Sequence, residues 1–216
     1  MSAARWPALG NLGALLSWCG VVALLAGFWM PVRSAQRTAD AEQLAEQLNE
    51  HLLQASLGCP NALEPDDLPA VLARFWGLAA RDRLPVDDLE VLVPPADLLL
   101  LLGNRDYLFH LAAVPPDPQA VVSPDSCPTY AAVAWPRHAD SLGHTVFFSP
   151  SDALPARTRN LVGRHFGMGN HRPMPGQQHR RLRSASSGQR SYRSSNDERW
   201  IEGAPPDQRS GVKSTR

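Results

Sequence analysis

Hydrophobic and polar positions fall into three regimes along the chain. The first is continuous: from Leu12 to Val32 the only polar side chains are Ser17 and Cys19, and no charge separates Arg5 from Arg33. As a helix rising 1.5 Å per residue this stretch would span roughly 32 Å, close to the ~30 Å hydrocarbon core of a bilayer. Trp6 and Trp29 stand near its ends, where indole rings favour the membrane interface. A cleaved leader would have a shorter apolar core, a more basic start and a better cleavage site than Val32-Arg33-Ser34. The pattern predicts an uncleaved single-pass anchor over residues 1–33, contacting membrane lipid through residues 12–32.

The second regime has helical periodicity. Ala41, Ala45, Leu48, Leu52 and Ala55 recur at steps of four and three and form one stripe, predicting a helix over residues 34–58 that Gly58 and Pro60 bring to an end. Glu42, Glu46 and Glu50 make a second stripe of like charges, which is expected to face water. The apolar stripe could pair with a partner protein's helix, as a stalk would, or pack on the chain's own domain. A further helix is signalled by "EPDDLPAVLARFWGLAARDR", with Asp66 or Asp67 as cap and Leu68, Leu72, Phe75 and Ala79 on one face. Phe75 and Trp76 read as packing anchors.

After Pro85 the period shortens. "LEVLVP" reads as a strand, and "LLLLLGNRDYLFHLAAVP" as a hairpin turning at Gly103-Asn104-Arg105-Asp106, although the run Leu98–Leu102 would also suit a short helix. "TYAAVAWP" and "HTVFFSP" supply two more strands, reached through the proline-rich "VPPDPQAVVSPDSCP". Helices followed by strands give an α+β domain over residues 59–155, with a small antiparallel sheet of about four strands and one packed helix. From Ala156 to Arg216 the sequence is rich in Gly, Pro, Ser, Gln and Arg. With few aliphatic residues to offset the entropy of ordering, it is expected to be disordered.

Charge changes this picture, because the balanced total conceals a division. Residues 1–154 hold 8 Arg and no Lys against 17 acidic residues, whereas residues 155–216 hold 12 Arg and 1 Lys against 4. The two parts therefore carry opposite charge of equal size. Within the tail, Arg180, Arg181, Arg183, Arg190 and Arg193 form a basic segment with Tyr192, a candidate surface for the phosphates of nucleic acid or anionic lipid. Nucleic acid is the less favoured of these partners.

Flanking arginines do not decide the direction of crossing, since Arg5 precedes the apolar stretch and Arg33 and Arg37 follow it. Cysteine use points outward. Cys19 falls in the apolar stretch, leaving Cys59 and Cys127 in turn-rich contexts where a disulfide would close a loop of about 69 residues, worth roughly 4 kcal/mol. This places the domain in the periplasm and the anchor in the inner membrane.

Histidines offer the remaining candidate chemistry. His138, Asp140 and His144 flank one turn and could make a metal or proton-relay cluster, but two ligands on a polar turn are a weak signal. His165 and His171 in "HFGMGNH" adjoin the expected disorder, where a preorganised site is not expected, and His110 reads as a satisfied strand residue. The sequence contains no nucleophile elbow, phosphate-binding glycine loop, zincin helix or paired-cysteine zinc motif. No catalytic residue, metal or cofactor is therefore assigned, and an enzyme is not expected.

The order of apolar helix, amphipathic helix and antiparallel sheet over residues 1–150 resembles pilins and accessory subunits of pilus and secretion assemblies. The resemblance is one of element order, and no family is assigned on it. It implies a structural or assembly component of an envelope complex, acting through protein contacts. The alternative is a membrane-tethered cytosolic module whose Arg-rich tail binds nucleic acid or anionic lipid.

Overall fold

The computed structural model describes residues 33–57, 64, 66–93, 100–114, 129–139, 144–152, 154–161, 165–175, 191–193 and 199–202. The chain divides into two compact units, Met1–Ala41 and Glu42–Arg216. The described part of the first is the opening of helix α1 (residues 33–56), where the Thr38 hydroxyl donates to the Ser34 carbonyl at 3.0 Å.

In the second unit α1 continues to residue 56, and its apolar stripe is buried as its spacing predicts: Ala45, Leu48, Leu52 and Ala55 are all shielded from solvent. Helix α2 (Leu68–Arg81) buries Val71, Phe75 and Ala79, three positions four apart. Leu68 and Leu72, expected on that face, are only half-buried. Asp67 stands at the cap position, but its side chain makes no capping hydrogen bond; Pro69 in the first turn has no N–H to cap. Phe75 and Trp76 meet edge to face at 5.1 Å.

The strands are β1 (Glu90–Val91), β2 (Leu101–Gly103), β3 (Tyr107–Val114), β4 (Thr129–Pro136), β5 (Val146–Pro150), β6 (Ala156–Thr158), β7 (Ser191–Arg193) and β8 (Arg199–Glu202). They form one eight-stranded sheet in the order β1-β2-β3-β4-β5-β6-β8-β7, with every pairing antiparallel. Strands β1 to β5 occupy the segments that alternation picks out. The hairpin turn is held by Asn104, whose side-chain oxygen accepts the N–H groups of Asp106 at 2.9 Å and Tyr107 at 2.7 Å.

Cross-strand register sorts the side chains into two layers. Leu108, Trp135, Val133, Phe148, Ala156 and Trp200 share one face and belong to a single buried cluster. The opposite face carries Tyr107, Phe109, Leu111, Phe147 and Ser149, and α1 lies over its β4–β5 part. Asn49 of α1, fully buried, donates from its side-chain amide to the Ala132 carbonyl at 3.2 Å and to the Ser149 hydroxyl at 3.0 Å. Gly103 makes room within the first layer, since a Cβ there would come within 2.6 Å of the Leu92 side chain.

Several expectations are corrected. The sheet has eight strands rather than about four, because the segment after Ala156, expected to be disordered, contributes β6, β7 and β8. Its few apolar residues are well placed: Trp200 alone carries the buried layer onto β8 with no exposed surface. The glutamate stripe of α1 is half-buried rather than fully solvated. Glu42 accepts the Thr145 N–H at 2.9 Å and pairs with Arg159 at 3.1 Å, while Glu46 and Glu50 line a cleft with Ser149 and Arg157.

The membrane expectation does not stand either. Among the described residues no helix is long and apolar enough to cross a membrane. The transmembrane anchor, its lipid contacts and the inner-membrane, periplasmic location that followed from it are therefore set aside; residues 12–32, on which they rested, lie outside the described residues. The Cys59–Cys127 disulfide has no support: no disulfide occurs among the described residues, and both cysteines lie outside them.

Candidate functional site

Three arrangements carry polar or exposed apolar groups in a form that could act on something else. The first is the outer edge of β1. Glu90 pairs with Gly103 and Val91 with Leu102, and the Leu92 N–H donates to the Leu101 carbonyl at 2.9 Å. In an antiparallel ladder successive residues direct their backbone groups to opposite sides. Glu90 and Leu92 therefore point toward β2, and Val91 and Val93 point outward. Val91, the last residue of β1, is 56% exposed, and Val93, two residues beyond it, is 91% exposed. Asp87, Asp88 and Glu90 lead into this edge; Glu90 is held by Arg137 at 3.1 Å, and Asp88 accepts the Arg105 N–H at 3.4 Å.

The second is the opposite edge. Among the described residues β7 has no neighbour on its outer side. Arg193 of β7 faces Arg199 of β8 in register, and both are exposed. Like charges directly opposite each other destabilise a strand pair by a few tenths of a kcal/mol or more, roughly 0.2–1. Ile201, on the same face, is 45% exposed. Of the basic residues singled out in the sequence, Arg193 is thus placed on an edge strand, whereas Arg180, Arg181, Arg183 and Arg190 lie outside the described residues.

The third comprises Asn160 and residues 165–174. The Asn160 side chain clamps His165, accepting its N–H at 2.6 Å and donating to its carbonyl at 2.8 Å. The next turn closes with the Phe166 N–H on the His171 carbonyl at 3.2 Å, and the rings of Phe166 and His171 stack at 4.6 Å. Two bonds then fix the turn to β4: the Gly167 N–H donates to the Pro136 carbonyl at 3.1 Å, and the Trp135 indole donates to the Gly167 carbonyl at 2.8 Å. Gly167 has φ +61°, a conformation that glycine adopts without strain. The reason for discounting His165 and His171, an unstructured setting, is removed by these clamps.

The other histidines are placed apart. His138 is exposed and lies 3.2 Å from the Arg105 carbonyl, His144 stacks on Tyr107 at 6.4 Å, and Asp140 lies outside the described residues. His110 is buried with Nδ1 at 2.8 Å from the Leu100 carbonyl, as a satisfied strand histidine should be. His51 of α1 sits 3.0 Å from Asp82 at the end of α2. The Asp82 carboxyl is held below the usual carboxylate range, first by its hydrogen bond from Arg81, whose guanidinium is correspondingly raised. Burial pushes the Tyr107 hydroxyl well above the ordinary phenol range, reinforced by Glu42 and Asp106, while it donates to the Thr145 carbonyl at 3.0 Å. These contacts bind elements together, although His51 Nδ1 and His144 Nδ1 are buried without a hydrogen-bond partner among the described residues.

Sequence reading located the β1 segment but not its place at the end of the strand order, and it had no signal for β7 or β8. Comparison with family models, curated proteins and solved structures finds no match to this chain.

Proposed function

We propose that this chain is an assembly subunit that associates with further copies of itself head to tail, edge β1 of one copy pairing with edge β7 of the next. The observation that carries this reading is that the sheet ends in two edges that lie in oppositely charged parts of the chain. At the β1 edge stand Asp87, Asp88 and Glu90, whereas the other edge carries Arg193 on β7 facing Arg199 on β8, with Glu202 at the end of β8. Outward backbone groups at Val91 and Val93 supply a template for strand addition, and their exposed side chains supply apolar area to bury. Pairing of unlike edges is heterologous and continues from copy to copy unless the rotation closes a ring. Self-pairing of β1 with β1 would instead bring Asp87, Asp88 and Glu90 against their own kind. The apolar stripe of α1 is already buried within the chain, which moves the partner surface from the helix to the sheet edges.

Sedimentation velocity of the chain over a range of concentration and salt tests the proposal. Association that grows with concentration and weakens with salt is expected, and Val91→Pro, which deletes an outward N–H without touching the β2 ladder, should leave monomers. Val93→Lys, an edge charge of the kind natural sheets use against pairing, should do the same and guards against misfolding of the proline variant. A chain that stays monomeric throughout, or whose association survives both changes, would overturn it.

A further inference from the structure

Strands β6, β8 and β7 sort arginine and apolar residues onto opposite faces. Arg157 pairs in register with Phe147 on one side and Ile201 on the other, and Ile201 pairs with Ser191. Arg193 faces Arg199, and Arg159, two residues beyond Arg157, comes level with Arg199 on the same face. Three arginines thus form a row across three adjacent strands, each backbone about 4.8 Å from the next. Arg157 lies one step along β6, and all four arginines are exposed. The alternate positions Ala156, Thr158 and Trp200 are buried on the other face. We propose that this arginine face binds the phosphates of single-stranded nucleic acid.

Charge is the first argument. The positions that β6, β8, β7 and Arg159 present on this face are Arg157, Arg159, Ser191, Arg193, Arg199 and Ile201, and none is acidic. Nearby glutamates come from α1: Glu42 pairs with Arg159 at 3.1 Å, and Glu46 and Glu50 line a cleft with Arg157. Arg199 and Arg193 stand one and two strands farther from that helix than Arg159. Two guanidinium groups on directly opposed residues repel each other, and a phosphate between them turns that repulsion into attraction. The planar guanidinium fork matches phosphate oxygens in geometry as well as charge.

Shape selects the source of the phosphates. Helix α1 packs on this same face over β4 and β5, tied by Asn49 to Ala132 and Ser149, and so stands as a ridge beside the arginine row. A broad anionic plane such as a lipid surface would meet α1 and its glutamates first, whereas a single strand can lie along the row at the foot of the helix. Ile201, 45% exposed, is too small an apolar anchor for a bilayer, but with the guanidinium planes it offers bases a sequence-tolerant contact. Composition alone ranks nucleic acid behind lipid; the position of the row beside α1 reverses that order. Backbone groups at the outer edge of β7 point along the sheet and the arginines off its face, so this inference does not depend on how copies pair.

The test titrates the full chain into a fluorescein-labelled oligothymidylate, followed by anisotropy over a range of salt. Binding that weakens with salt is expected. Arg193→Gln/Arg199→Gln removes two phosphate contacts and should lower the slope of log K against log salt by about 1.4, with binding roughly 10–30-fold weaker at ~0.1 M salt. Arg193→Lys/Arg199→Lys keeps both charges and should keep the slope. Arg74→Gln/Arg105→Gln, the same loss of charge at two exposed positions elsewhere, should bind as the parent does. The glutamine variant at Arg193 and Arg199 should melt no lower than the parent by circular dichroism, because it relieves facing like charges. Vesicles of phosphatidylcholine and phosphatidylserine form the second arm and should retain parent and variant equally. A parent that does not bind the oligonucleotide, equal loss in the two glutamine variants, or loss of vesicle retention in place of oligonucleotide binding would each overturn the proposal.

Discussion

Trp200 offers the sharpest test of the fold, because among the described residues it is the one large side chain that the basic C-terminal part places in the buried layer without exposure. A tryptophan side chain buries roughly 150–250 Å², which at about 25 cal/mol per Å² corresponds to about 4–6 kcal/mol of transfer. Replacement by alanine retains a little of that and leaves a cavity between Trp135, Ala156 and their neighbours, giving a loss of about 3–5 kcal/mol. In a chain of this size each kcal/mol lowers the melting temperature by about 2–4 °C, so Trp200→Ala should melt roughly 6–20 °C below the parent. Ile201→Ala, one residue along on the other face and 45% exposed, should cost less than about 1 kcal/mol. Circular dichroism melts and urea titrations of both variants measure this directly. If the two variants melt together, within about 1 kcal/mol of the parent, then β8 does not belong to the core and the eight-stranded sheet is wrong.

Other outcomes follow from single contacts. Asn49→Ala removes both amide donors that tie α1 to β4 and β5 and should cost about 1–3 kcal/mol; combined with Ser149→Ala the losses should fail to add by more than about 0.5 kcal/mol, read by a double-mutant cycle in urea. Tyr107 keeps its proton in the folded state at pH values where an unfolded tyrosine, with its pKa near 10.0, has lost it. The folded state then binds more protons than the unfolded one, so stability falls as pH rises above about 10, by up to about 1.4 kcal/mol per pH unit, and Tyr107→Phe should flatten that alkaline decline. Gly103→Val should displace Leu92 from the first layer and cost about 1–3 kcal/mol by thermal melt, because the introduced Cβ meets Leu92 at 2.6 Å and Leu108 at 3.1 Å.

How far the sequence foretells this molecule differs along its length. Where a periodic pattern runs for several turns or strand residues, as in α1, α2 and β3–β5, local signal and tertiary burial agree. Strands of two to four residues give no such run. β7 and β8 are recognisable only through what they meet, and composition over a long window hides one buried tryptophan among many arginines. The glutamates of α1 misled for a related reason: like charges at helical spacing suggest a solvated face, yet Arg159 and the Thr145 N–H, more than a hundred residues away, supply partners that no local pattern shows. The candidate sites were legible in part. Edge character is a property of strand order and could not be read from "LEVLVP".

Head-to-tail pairing is tested most directly by amide hydrogen exchange at β1, measured at low and high protein concentration. The Leu92 N–H, bonded to the Leu101 carbonyl within the chain, serves as an internal reference whose exchange should not change. Val91 and Val93, with outward N–H groups, should exchange freely in dilute solution and slow as copies associate. Unchanged exchange at both valines under conditions where the chain is shown to associate would contradict pairing through this edge.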